Sequence, residues 1–147
     1  MDPVEFKKVF WYYSRNISEQ MNVAITPICE KFGLTMLQTR ILIELSENET
    51  YTIGSLANKI HMAGTNISTM CKKLDQKGYL MRVRDNHDER IVTVELTEAG
   101  TKVVEQINSA MLEGIYHYIE TEGTQSLQEI IEGMQKLSKL LQQIGKE

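Results

Sequence analysis

The sequence predicts a mainly α chain with a small β-wing. Three observations predict it. Apolar residues recur every three or four positions along most of the chain, the mark of amphipathic helices. The period changes once, to two alternating segments, Tyr79–Arg84 and Ile91–Leu96, around a polar turn. Just upstream, two short helical patterns meet at the turn His61-Met62-Ala63-Gly64. Helix, tight turn, helix and ribbon between Thr52 and Gly100 compose a winged helix-turn-helix, a unit that reads double-stranded DNA. At 147 residues the chain is long enough for one domain with a sizeable core. We read 35–100 as the winged unit, and 1–34 and 101–147 as dimerisation helices flanking it.

Val4 to about Cys29 reads as the first helix, with Phe6, Phe10, Tyr13, Ile17, Met21, Ala24 and Ile28 as one apolar stripe. Pro27 should kink it or break it near Thr26, and Gly33 should end it. Thr35 and Gln38 have the spacing of a capping box. The helix they open carries Leu37, Ile41, Leu42 and Leu45 and stops near Ser46. Glu47–Thr50 reads as a loop, and Tyr51-Thr52-Ile53 as a short strand added to the ribbon.

Thr52 caps the next helix, whose inward face is Ile53, Leu56, Ala57 and Ile60. The second helix of the winged unit runs from about Thr65 to Lys77, with Ile67, Met70, Cys71 and Leu74 inward. Its other face shows Thr65, Asn66, Ser68, Thr69, Lys72 and Lys73. Gly78 supplies a left-handed terminus. The ribbon follows, with Asp85–Arg90 as its tip. Thr97 caps a long helix, Glu98 to about Glu120, with Val103, Ile107, Met111, Ile115 and Tyr118 as its seam. After a turn at Glu122-Gly123-Thr124, Ser126–Ile144 carries Leu127, Ile130, Met134, Leu137, Leu141 and Ile144 on one stripe. That three-four alternation suits helices packed at a shallow angle.

Composition narrows the classes. Apolar residues make up 41% and charged residues 24%, which predicts a globular chain. Neither a membrane-spanning run nor a signal peptide is apparent, so the expected compartment is the cytoplasm. Two cysteines, Cys29 and Cys71, are too few for a disulfide framework, and neither has metal-ligand spacing. His61, His87 and His117 are scattered, so no metal or other cofactor is expected. No GxSxG, P-loop, GxGxxG or HExxH pattern points to an enzyme. The net charge of −4 is unevenly spread. Seven Lys/Arg and five Asp/Glu between Ile53 and Leu96 make that stretch +2, and therefore the remainder −6. An acidic body with a mildly basic head discourages misoriented contact with nucleic acid.

The residues of the winged unit resemble the MarR family of multiple-antibiotic-resistance regulators. The likeness rests on Leu56-Ala57, Lys73-Leu74, Lys77-Gly78-Tyr79-Leu80, Arg82, Asp88, Arg90, Leu96-Thr97 and Gly100, without gaps. Gly33-Leu34-Thr35 and Gln38 fit it upstream, while the outer helices match in length and order only. The resemblance implies a homodimeric DNA-binding repressor released by a small molecule or by thiol oxidation. The sequence departs from the family at Glu89, where a second Arg is common, at His61, where Gly is usual, and at Ala63, where Ser often caps.

The expected partner is a pseudo-palindromic duplex operator. Thr65, Asn66, Ser68 and Thr69 would face base edges or nearby phosphates, and Lys72 and Lys73, with Lys77, would meet phosphates. Arg84, Asp88 and Arg90 are the wing's share. Arg90 suits a narrow minor groove, and the resemblance gives Asp88 the task of orienting it. Pairing two chains about a two-fold axis would cover the outer helical stripes and set two recognition helices about one DNA turn apart, roughly 34–36 Å.

The resemblance places an effector pocket between the dimer helices and the winged unit, with Phe10, Trp11, Tyr13, Met36, Arg40, Met111 and Tyr116 as candidate lining. Aromatic and Met side chains with one cation suit a small aromatic or amphipathic acid. The competing reading of these residues is ordinary core and dimer packing. Two alternatives to effector release stand beside it: a thiol-oxidation sensor of the same fold, and a winged-helix protein-interaction module that binds no DNA. A sensor thiol needs exposure and a lowered pKa. Cys71 falls on the apolar face of its helix, and Cys29 lies far along the first helix from Tyr12 and Tyr13.

Overall fold

The computed structural model describes residues 1–47 and 50–146. Its elements are α1 (Pro3–Glu30), α2 (Met36–Glu47), β1 (Tyr51–Thr52), α3 (Ile53–Ile60), α4 (Gly64–Gln76), β2 (Leu80–Arg84), β3 (Val92–Leu96), α5 (Glu98–Glu122) and α6 (Gln125–Ile144). Mostly helical, with a small antiparallel sheet, the chain has the winged helix-turn-helix architecture that the change of period predicts. Two compact units divide it, Met1–Asn108 and Ser109–Glu147.

Local chemistry sets the helix starts in the first unit. The Asp2 carboxylate accepts from the Val4 and Glu5 amides at 2.8 and 2.9 Å, ahead of Pro3 in the first turn of α1. Thr35 and Gln38 exchange backbone-to-side-chain bonds of 3.0 and 3.1 Å, closing the predicted capping box. Thr52 and Ser55 form a second one at the head of α3. Thr97 caps α5, accepting from the Gly100 amide at 3.1 Å.

Of the kink or break expected at Pro27, the break near Thr26 does not occur. Pro27 lies inside α1, which continues to Glu30. Its missing N–H forfeits one helical bond, and the Pro27 carbonyl still accepts from the Lys31 amide at 3.3 Å. Gly33 ends the helix as the sequence predicts, as the left-handed residue of its terminus. It stands at φ +67°, and the Leu34 amide returns to the Cys29 carbonyl at 3.1 Å, which closes the last turn. Strand β1 covers Tyr51 and Thr52 only, since Ile53 opens α3, and the ribbon strands begin at Leu80 and Val92 rather than one residue earlier. Of the loop expected at Glu47–Thr50, Asn48 and Glu49 lie outside the described residues.

The sheet order is β1-β3-β2. Leu80 pairs with Leu96, Arg82 with Val94 and Arg84 with Val92. This register places Leu80 and Val94 inward, where both are fully buried. They join Leu34, Ile41, Leu42, Leu45, Leu56, Ile60, Ile67, Leu74, Val103, Val104 and Ile107 in one core. The second unit contains the end of α5 and all of α6, and no α6 residue among those described is buried. No helix among the described residues is long and apolar enough to cross a membrane.

Candidate nucleic-acid interface

Helix α4 is amphipathic in the sense that a reading helix requires. Ile67, Cys71 and Leu74 are fully buried on one side. On the other, Thr65, Asn66, Thr69, Lys72 and Lys73 are exposed, and Lys77 continues the row. Ser68 is half-buried, and the Thr69 hydroxyl donates to the Thr65 carbonyl at 3.0 Å. Thr69 therefore presents its methyl and remaining lone pair more readily than its proton.

The turn before α4 keeps its shape despite the unusual residue in it. His61 takes the left-handed conformation (φ 59°), and the Met62 amide bonds the Ala57 carbonyl at 3.0 Å. Ala63 stands at the N-cap and makes no side-chain cap bond. Gly64, expected in the turn, is the first residue of α4.

The wing tip is ordered by its own carboxylates. Asp85 Oδ1 accepts from the His87 and Asp88 amides at 2.7 and 3.0 Å. Asp88 holds Arg90 through both carboxylate oxygens, Nε to Oδ1 at 3.0 Å and Nη2 to Oδ2 at 3.1 Å. That bidentate grip fixes the guanidinium plane, and the Arg90 side chain remains 90% exposed. The hydrogen bonds from the Arg90 side chain and backbone hold the Asp88 carboxyl below its usual range, and the same pairing raises Arg90. Arg84 turns back on the wing, with Nη1 donating to the Glu89 carbonyl at 3.0 Å. The family departure at Glu89 thus leaves its backbone in use as a brace.

Sequence reasoning quoted Arg82, Thr97 and Gly100 for the resemblance but did not say what they join. Arg82 Nε bonds Asp75 Oδ2 at 2.9 Å, linking β2 to the last turn of α4. The Thr97 hydroxyl donates to the Gly78 carbonyl at 2.6 Å, and the Thr97 amide to the Tyr79 carbonyl at 3.2 Å. Gly100 lies so close beneath that an added Cβ would meet the Tyr79 oxygen at 1.9 Å. The available signals were slight: Asp75 is the only acid on α4, and Gly100 is a weak helix former in a first turn.

The effector candidates are less coherent. Phe10, Trp11, Tyr13, Met36 and Arg40 belong to the first unit, and Met111 and Tyr116 to the second. Phe10, Met36 and Met111 are half-buried, while Trp11, Tyr13, Arg40 and Tyr116 are exposed. On α1, Phe10 stacks with Phe6 and tilts against Trp11, at ring-centroid distances of 6.2 and 5.4 Å. In the second unit an open depression is lined by Ser109, Leu112, Glu113, Tyr116, His117 and Glu120. Both cysteines are fully buried, and burial pushes the Cys71 thiol up to about 11, with Arg82 pulling in the other direction.

Known proteins resemble this chain in sequence and fold. Residues 24–107 match the family described as Transcriptional regulator SarA/Rot. The chain is 30% identical to the organic hydroperoxide resistance transcriptional regulator of Bacillus subtilis over 89 residues, 60% of each chain. It is 27% identical to the HTH-type transcriptional regulator SarZ of Staphylococcus epidermidis over 76% of each. Among solved structures, a MarR family transcription regulator superposes with a TM-score of 0.85 at 19% identity, covering 97% of this chain and 96% of that one. The regulator BldR of Sulfolobus solfataricus gives 0.70 at 25% identity, covering 95% and 99%. A Staphylococcus aureus MepR variant bound to an oligodeoxyribonucleotide gives 0.64 at 22%, covering 90% and 97%.

Proposed function

Given that the chain belongs to the SarA/Rot family of transcriptional regulators and has the winged helix-turn-helix fold of MarR regulators, we propose that it is a homodimer that binds a pseudo-palindromic duplex operator in the cytoplasm, and a repressor released by a small molecule. The observation that carries this reading is the exposed face of α4, where Thr65, Asn66 and Thr69 precede Lys72, Lys73 and Lys77. Asn66 has the paired donor and acceptor that match adenine in the major groove. The lysines supply sequence-independent attraction to phosphates. Without a side-chain cap at Ala63, the first amides of α4 suit a phosphate oxygen. Arg90, held flat by Asp88 and otherwise exposed, suits the minor groove beside it.

The dimer is supported by what a single chain leaves uncovered. Trp11, Tyr13, Ile17 and Met21 on α1 and Ile130, Met134 and Ile144 on α6 are between 47% and 65% exposed. Stripes of that kind mark association surfaces, and a two-fold partner would cover them. Blocking polymerase needs only occupancy of a site, so repression requires no catalytic group.

The thiol-oxidation reading has one observation in its favour, the likeness to a regulator named for organic hydroperoxide resistance. Two full burials and a raised Cys71 pKa weigh against it, because a sensor acts through an accessible thiolate. The experiment that tests the main reading is selection of bound duplexes from random DNA, followed by titration across a salt series. Affinity should fall as salt rises, as counterion release requires. Failure to enrich any duplex would leave the protein-interaction module as the better account.

A further inference from the structure

Among the described residues of the winged unit, two carboxylate–guanidinium pairs stand apart, one at the wing tip beyond β2 and one between β2 and α4. Asp88 and Arg90 form the pair at the tip. Asp75 and Arg82 form the one at the root, Nε to Oδ2 at 2.9 Å. The root pair crosses between elements, from the last turn of α4 to the middle of the strand. Its side chains are about a third exposed, 31% for Arg82 and 38% for Asp75. A pair so solvated adds little to folding stability, so its value has to be sought in where it places things.

Three features of its setting bear on that. Arg82 lies directly opposite Val94 in the ribbon, and opposed residues project to the same side of an antiparallel pair. Val94 is fully buried, so Arg82 leaves the ribbon on its inner side, toward α4. The guanidinium also acts on the Cys71 thiol, one turn back along α4 from Asp75. Finally, Asp75 is the only acid in a helix whose outer face offers Lys72 and Lys73 to phosphates. Unpaired, its charge would oppose the polyanion; paired, it is offset by a residue of the wing itself.

Resting on the DNA-binding reading above, the geometry points to Asp75 and Arg82 as positioning residues that fix the pitch of the wing against α4, so that Arg90 and the α4 face engage one duplex together. Neither residue need touch DNA. The pair acts as a strut: the sheet is anchored at its inner end by Leu80 and Val94 in the core, and the ion pair from α4 to the middle of β2 limits rocking of the outer part of the ribbon about that anchor.

The test is a double-mutant cycle read as affinity for the selected duplex. In the parent, Arg90→Ala should weaken binding by at least about fivefold. In an Arg82→Ala background the same substitution should cost less than about twofold, because a wing free to rock no longer delivers Arg90. The exchange Asp75→Arg with Arg82→Asp should restore most of the affinity that Arg82→Ala loses, and the full cost of Arg90→Ala with it. Thermal melting should separate the variants little, which excludes unfolding as the cause. Multiplicative losses at 82 and 90, or a charge exchange that binds no better than Arg82→Ala, would overturn the strut and leave Arg82 as an ordinary phosphate contact or a surface charge. Absence of duplex binding by the parent itself would instead overturn the DNA reading, and the strut with it.

Discussion

Gly100→Ala should be among the most damaging single methyl additions in the chain, although alanine is the better helix former. The built Cβ would lie 1.9 Å from the Tyr79 carbonyl oxygen, 2.9 Å from its carbon and 3.1 Å from Leu96 Cδ2. Backbone cannot swing aside as a side-chain tip can, so the start of α5 must retreat from the turn that follows α4. Overpacking of this kind costs about 1–3 kcal/mol. Retreat also strains two bonds that join these segments, Thr97 hydroxyl to Gly78 at 2.6 Å and Thr97 amide to Tyr79 at 3.2 Å. Each such bond is worth about 0.5–1.5 kcal/mol. Alanine returns about 1 kcal/mol of helix propensity. The balance is a loss near 3 kcal/mol, within a range of roughly 1–5 kcal/mol set by those terms. The assay is urea unfolding followed by circular dichroism at a fixed protomer concentration, because a dimer's stability depends on concentration. A loss under about 0.5 kcal/mol would show that α5 does not press on Tyr79, since even the low end of overpacking exceeds it. Duplex affinity should fall alongside, because the carbonyl that is pushed belongs to the turn between α4 and the wing.

Four further outcomes are expected. Arg90→Ala should weaken binding to the selected duplex by about 1–3 kcal/mol in a fluorescence titration; unchanged affinity would remove the wing from recognition. Cys71 of the native protein at pH 8 should react slowly with iodoacetamide and quickly once unfolded in urea, since a buried thiol at about 11 is only about one-thousandth ionised there; rapid labelling of Cys71 in the folded chain would restore the oxidation-sensing reading. The same raised pKa makes the Cys71 contribution to stability complete below the unfolded value of 9.0 and lost as pH rises toward about 11, so the urea midpoint should drop in that alkaline window and do so less in Cys71→Ala. Sedimentation equilibrium at micromolar protein should return twice 16.9 kDa, and a clean monomer would reject the two-fold arrangement.

The sequence by itself determined the elements that local rules control. Alternation across Tyr79–Arg84 and Ile91–Leu96 marked the ribbon to within one residue at each start, because a slip of register would expose Leu80 and Val94. Thr35 with Gln38 and Thr52 marked their helix starts through bonds that span three residues. The polar face of α4 was legible because it is the complement of Ile67, Cys71 and Leu74. At Pro27 the local rule allowed a kink or a break, and the chain stays helical through it to Glu30. What only the tertiary structure decided is how these pieces are joined. Asp75 meets Arg82 across a helix and a strand, Thr97 reaches back to Gly78, and Gly100 passes under Tyr79. In sequence these are a common charge, a common cap and a common glycine. Their partners are fixed by the direction in which each segment leaves its neighbour, which is set by the shared core and by no pattern within either segment.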